Sequence, residues 1–163
     1  MCYELDVMIG PLELSTLRMM KKLLALGMVA VGLAHAANAP RQSPDERWLK
    51  LQAFFQSYKC PAPYHVEDYL READKNAIDY RLLPAISVRE STCGRHARLN
   101  NHWGWDSARS GFSSVKAGIR YLARTLSLGP RYKDKPLNAK LKIYNPNLQY
   151  VAEVMRLMGE ISE

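Results

Sequence analysis

The stretch AISVRESTCGRHARLNNHWGWD, Ala85 to Asp106, begins as an apolar helix and ends as a polar, aromatic loop. A single glutamate, Glu90, stands where the helix gives out, and a cysteine, paired asparagines and two tryptophans follow it. Desolvation and the negative end of a helix both disfavour an ionised carboxyl, so a glutamate in this place is a candidate general acid. Amides suit the hydroxyl and acetamido groups of a saccharide, and indoles stack on the apolar faces of sugar rings.

The segments on either side are helical as well. Ser43-Pro44-Asp45-Glu46 combines a capping-box spacing with proline at the first helical position. Trp48, Leu51, Phe54, Phe55 and Tyr58 follow at helical spacing, with Trp48 and Phe54 read as core, and Cys60-Pro61-Ala62-Pro63 ends the run. A second helix is expected from Val66 to Ile78, with Val66, Tyr69, Leu70, Ala73 and Ala77 on its apolar face. The third opens near Pro84 and runs to Glu90, and residues 94–112 form a loop or a short β-ribbon around Trp103–Trp105. A fourth begins after Ser113 or Ser114, continues to Leu126 and stops at Gly129-Pro130. A short helix over 137–143 and a last one from Asn145-Pro146, with Val151, Val154, Met155, Met158 and Ile161 as its stripe, complete the chain. Strand signals are nearly absent, so the fold class is all-α, α+β at most.

Of the 163 residues, the first part reads as an address. Residues 1–18 look like an upstream extension that is neither signal nor domain. Residues 19–36 read as a signal peptide: Lys21 and Lys22, an apolar run from Leu23 to about Ala34, then Ala34-His35-Ala36. The run is short for a membrane span. Cleavage after Ala36 is favoured over Ala39, which would put Pro40 just past the cut. Residues 37–43 read as a flexible leader, and 44–163 as the domain. No cysteine sits near the cleavage site, so no lipid anchor is indicated, and the mature protein is expected to be periplasmic or extracellular.

Removal of the signal takes Cys2 with it and leaves Cys60 and Cys93, an even count in an oxidising compartment, hence a disulfide. A metal site from Cys60, Cys93, His96 and His102 matches no standard zinc spacing, so no metal and no cofactor are expected. From Ala37 onward there are 20 Lys+Arg against 13 Asp+Glu. Residues 81–142 hold 13 basic side chains against Glu90, Asp106 and Asp134 alone. Such a basic face favours polyanionic partners or serves solubility. No RNA-type or helix-turn-helix signature points to nucleic acid, and export makes the bacterial wall the natural polyanion.

Ile86-Ser87-Val88-Arg89-Glu90-Ser91, with Gly94 soon after, resembles the catalytic-helix end of lytic transglycosylases and goose-type lysozymes. Leu99-Asn100-Asn101-His102-Trp103-Gly104-Trp105 is similar to the bacterial cell-wall glucosaminidases, where Glu-Ser-Gly is followed by Asn-Asn-aromatic-Gly. Phe112-Ser113-Ser114-Val115-Lys116-Ala117-Gly118-Ile119 resembles their next phenylalanine-plus-helix segment. Tyr144-Asn145-Pro146-Asn147-Leu148-Gln149-Tyr150-Val151 is similar to the late Tyr-Asn and Tyr-Val elements of the lysozyme-like superfamily. The resemblance spans about residues 65–161 and implies a small lysozyme-like helical domain with a cleft. It implies Glu90 as general acid, with Ser91, Asn100, Asn101, Trp103, Trp105 and Tyr144 as substrate-binding candidates, and a monomer acting on peptidoglycan glycan strands. The chain departs from the pattern where Gly-Leu-Met-Gln is missing after the glutamate, and where Cys93 interrupts Glu-Ser-Gly. The short span from Glu90 to Phe112 leaves little room for a hairpin lobe, which bears on substrate length and on activity. Asp106 is either a second catalytic carboxylate or a turn cap in Trp-Asp-Ser; without one, the substrate's N-acetyl group assists. Tyr144 belongs either to the cleft or to the core with a bonded hydroxyl. The alternative function is a catalytically silent wall-binding or assembly module on the same fold.

Overall fold

The computed structural model describes residues 45–161. The upstream extension, the signal peptide, the leader and Cys2 lie outside the described residues, as do Ser43 and Pro44. Within them the protein is all-α: six helices and one 3₁₀ turn, with no strand among the described residues. Of the residues that suggested a β-ribbon, Trp103 and Gly104 lie in a loop and Trp105 opens the 3₁₀ turn Trp105–Ala108.

Helix α1 (Glu46–Ser57) is capped by Asp45, whose carboxylate accepts from the Arg47 N–H at 2.9 Å. The cap in the structure is thus Asp45, closer to the helix than the Ser43 of the capping-box reading. Leu51, Phe54 and Phe55 are its buried face, and Trp48 is half-buried, its indole N–H donating to Glu67. Helix α2 (Val66–Asn76) ends two residues before the expected Ile78. Ala77 turns left-handed there (φ 49°) and is exposed rather than on the apolar face. Helix α3 (Leu82–Ser91) begins two residues before Pro84, which sits in the first turn where a missing N–H costs nothing. Leu82 to Val88 are buried without a break, which makes α3 the central helix.

Helix α4 (Val115–Leu128) is capped by Ser114, whose hydroxyl accepts from the Ala117 N–H at 3.1 Å, and runs to Gly129. Helix α5 (Leu137–Tyr144) is short. Helix α6 (Leu148–Glu160) is capped by Asn147 rather than by Asn145. The Asn145 side chain instead receives the Asn147 N–H at 3.0 Å, one turn-forming bond upstream of the cap. Met155 of the expected stripe is 43 % exposed, and Leu157 takes its place in the core.

Helix α2 packs against α1 and α4, α3 against α4 and α6, and α5 against α6. Cys60, just past α1, is joined by a disulfide to Cys93, just past α3, with a Cα–Cα distance of 5.4 Å. The loop that leaves α3 is therefore tied to the α1 end as the cysteine count predicted. A formed disulfide of this kind suggests an oxidising compartment. No helix among the described residues is long and apolar enough to cross a membrane.

Candidate active site

The site is built where α3 ends. Thr92 and Cys93 adopt left-handed conformations (φ 51° and 59°) and reverse the chain so that the following loop folds back on the helix. Ser91 braces this reversal. Its hydroxyl donates to the His102 carbonyl at 2.7 Å and accepts from the Gly94 N–H at 2.8 Å. At 5 % exposure it is a structural hydroxyl and not the substrate-binding group the resemblance implied.

The paired asparagines divide in the same way. Asn101 is buried, and its amide donates to the Trp105 and Ser110 carbonyls while its oxygen accepts from the Trp105 N–H. An amide so fully used shapes the loop and has little left for a ligand. Asn100 is exposed, donates to the Phe112 carbonyl at 3.0 Å and does not line the cleft. Trp103 is 0 % exposed, with its indole N–H on the Leu83 carbonyl at 3.1 Å and its ring edge-on to Tyr69 and Phe112. A Cβ on Gly118 of α4 would lie 2.4 Å from that ring. Trp103 is therefore the core anchor of the loop, and no sugar can stack on it.

Between the two tryptophans, Gly104 lies directly against Glu90. It adopts φ 62°, and a Cβ there would stand 2.6 Å from the Glu90 Oε2. The close approach of bare backbone covers one side of the carboxyl. Two tyrosines stand on another. Tyr150 of α6 has a buried hydroxyl with no hydrogen bond of normal geometry, yet close enough to favour the ionised form of Glu90. Tyr144 stacks on Tyr150 at 6.3 Å between centroids and donates its hydroxyl to the Trp103 carbonyl at 2.6 Å. Tyr144 thus has both expected roles, a bonded hydroxyl and a place in the cleft wall. Burial dominates at Glu90 and raises its pKa above 4.5, against the smaller opposite pull of Tyr150 and Arg89. Arg89 points away, paired with Glu153 at 2.5 Å.

The carboxyl opens onto a cleft of about 580 Å³. The loop from Gly104 to Ser110 lines it with Trp105, Asp106 and Ser107, and Arg131, Tyr132, Ile143 and Asn145 line it from later in the chain. Trp105 lies edge-on to Tyr121 of α4 and tilted against Tyr144, each at 5.8 Å between centroids. Trp105, Tyr121 and Tyr144 make an aromatic wall with rings open to the cleft.

Asp106 lines this cleft and also anchors a turn, as the turn-cap reading expected. Asp106, Ser107 and Ala108 all have φ between 55° and 58°, a left-handed run without glycine. Such a run costs free energy at each residue and needs external bonds to hold it. The Asp106 carboxylate accepts from the Ser110 hydroxyl at 2.6 Å and from Arg109 at 2.8 Å. These bonds hold its pKa below the usual carboxylate value, the Ser110 bond first. The cleft therefore holds two carboxyls whose environments push them in opposite directions.

Cys60 and Cys93 are consumed by the disulfide, so neither is a metal ligand. Among the described residues no group of three His, Cys, Asp or Glu could hold a metal. Among the site residues that sequence reasoning missed are Gly104, Tyr121, Arg131, Asn145 and Tyr150. A glycine between two tryptophans and an exposed tyrosine on the polar side of an amphipathic helix were readable signals. Arg131 had none beyond its charge. Comparison with protein-family models, with curated proteins and with solved structures finds no match to this chain.

Proposed function

We propose that this domain is an exported, lysozyme-like enzyme of the glucosaminidase or lytic transglycosylase type that cleaves peptidoglycan glycan strands with Glu90 as general acid. One observation carries the reading. A half-buried glutamate with a raised pKa lines a cleft together with Trp105, Tyr121 and Tyr144. The order of motifs from Glu90 to Tyr150 and the basic 81–142 segment support peptidoglycan as the glycan.

Glycosidic cleavage needs a proton delivered to the leaving oxygen as the bond breaks. Burial keeps Glu90 protonated to higher pH than an exposed glutamate, so it can act as that donor. Once the proton has left, the Tyr150 hydroxyl is close enough to favour the new carboxylate. Trp105 and Tyr121 offer faces for sugar stacking. Asp106, whose pKa is held down while that of Glu90 is pushed up, is ionised in the window between the two, and there it is the carboxylate available to stabilise the oxocarbenium-like charge or to orient water.

The test is Glu90→Gln assayed on purified, insoluble peptidoglycan. Positioned acid catalysis is worth roughly 10²–10⁴-fold, so turnover should fall by at least that range while binding persists. Equal cleavage by wild type and variant would remove Glu90 from the reaction. A wild type that binds the glycan and never cleaves it would make the same cleft a wall-binding module.

A further inference from the structure

The cleft lining carries a positive charge that no carboxylate among the described residues answers. The arginines of the helical surfaces are mostly paired: Arg47 with Asp45 and Asp74, Arg89 with Glu153, Arg120 with Glu72. Arg109, beside the cleft, is taken up by Asp106. Arg131 lines the cleft, is exposed, and pairs with no carboxylate among the described residues. Lys133 and Lys135 follow it, with Asp134 as the single acid in between.

The backbone that carries Arg131 is held in place. The Tyr132 and Lys133 N–H groups both donate to the Gly129 carbonyl, at 2.8 and 2.9 Å, and Lys135 donates to the Tyr132 carbonyl at 3.2 Å. Tyr132 itself is 5 % exposed and anchors the turn in the core. Arg131 thus lines the cleft from a fixed turn.

We infer that Arg131 is an anion-binding residue of this cleft, and that the glycan taken there carries a carboxylate near the bond to be broken. The glycan half of this statement rests on the reading above. Asp106 is compensated by Arg109, so the uncompensated cation of the cleft lining is Arg131. A guanidinium presents a planar fork that matches a carboxylate with two parallel hydrogen bonds. A concave site focuses such a charge more than an open surface does. A neutral polysaccharide of N-acetylglucosamine has no group for it. A peptidoglycan strand does, either on the lactyl ether of every second sugar once the peptide is removed, or on the attached peptide.

Binding is measured in the Glu90→Gln background, so that no strand is consumed, with two pairs of probes. One pair is peptide-free glycan strands and the same strands after methyl esterification. The other is peptide-bearing strands and their esterified form. The charged member should bind about tenfold or more tighter than its ester, as expected for a hydrogen-bonded ionic contact. Added Arg131→Gln should abolish that difference, Arg131→Lys should keep part of it, and Arg124→Gln, outside the cleft, should keep all of it. A preference in the peptide-free pair assigns the carboxylate to the sugar, and one confined to the peptide-bearing pair assigns it to the peptide. Equal binding of charged and esterified strands in both pairs, or a preference that survives Arg131→Gln, overturns the inference. The two proposals fail separately. A charge preference without cleavage by wild type sinks the enzyme and leaves the anion site, whereas cleavage indifferent to esterification does the reverse.

Discussion

Gly104→Ala tests the site at its tightest contact. The added methyl would stand 2.6 Å from the Glu90 Oε2 and 3.1 Å from its Cδ. The carboxyl must retreat by about 0.8 Å to reach ordinary van der Waals separation. It retreats rather than the backbone, because Asn101 holds the loop with three hydrogen bonds and Trp103 pins it in the core. Misplacement of a reacting group on the order of 1 Å can cost about 10²-fold, so glycan cleavage should fall roughly 10- to 100-fold. The left-handed φ of 62° adds a stability cost of about 1–2 kcal/mol for a residue with a Cβ. That corresponds to a fall in Tm of roughly 4–12 °C for a domain of this size. The decisive assay is independent of substrate: titration of the Glu90 carboxyl by carbon NMR in both proteins. A carboxyl pushed off its covering backbone regains water, so its raised pKa should fall toward 4.5 in the variant. An unchanged titration together with unchanged cleavage would refute the claim that Gly104 sets the position of Glu90.

Three further outcomes follow from the same geometry. A raised carboxyl pKa means that the native state holds its proton more tightly than the unfolded state, so wild-type stability is lost as pH rises through the window above 4.5. Glu90→Gln removes that loss and should be the more stable protein at pH 7 in urea titrations, with the advantage vanishing below about pH 4; a pH-independent difference would contradict it. Trp103→Ala should cost about 3–5 kcal/mol as a core truncation, whereas Trp105→Ala should lower Tm far less and weaken glycan binding, so equal Tm losses would place both rings in the core. Replacing Cys60 and Cys93 with alanine should destabilise the domain by about 3–4 kcal/mol from the closed loop alone, read from the shift in denaturant midpoint; a midpoint that does not move would deny the bond its structural role.

The sequence by itself determined the helices, the disulfide and the placement of Glu90 at a helix end. Each is a local signal: the spacing of Leu51, Phe54 and Phe55, the apolar stretch from Ala85 to Val88, the even cysteine count. Boundaries slipped by about two residues where two caps competed, as at Asn145 and Asn147. The roles of the loop side chains were a different matter. Trp103 and Trp105 carry the same local information, two indoles flanking a glycine in a polar loop. Which one is buried depends on Gly118, Leu83 and Tyr69, all distant in sequence, which leave a slot for one ring and none for the other. Ser91 and Asn101 looked like ligand groups because amides and hydroxyls serve ligands and turns equally well, and their backbone partners exist only once the loop has closed. Arg131, Tyr132 and Asn145 share a cleft with Glu90 although 40 or more residues separate them from it in the chain. Periodicity is a property of neighbours along the chain, whereas a cleft is a property of packing, and only the tertiary structure decided which side chains this glutamate would meet.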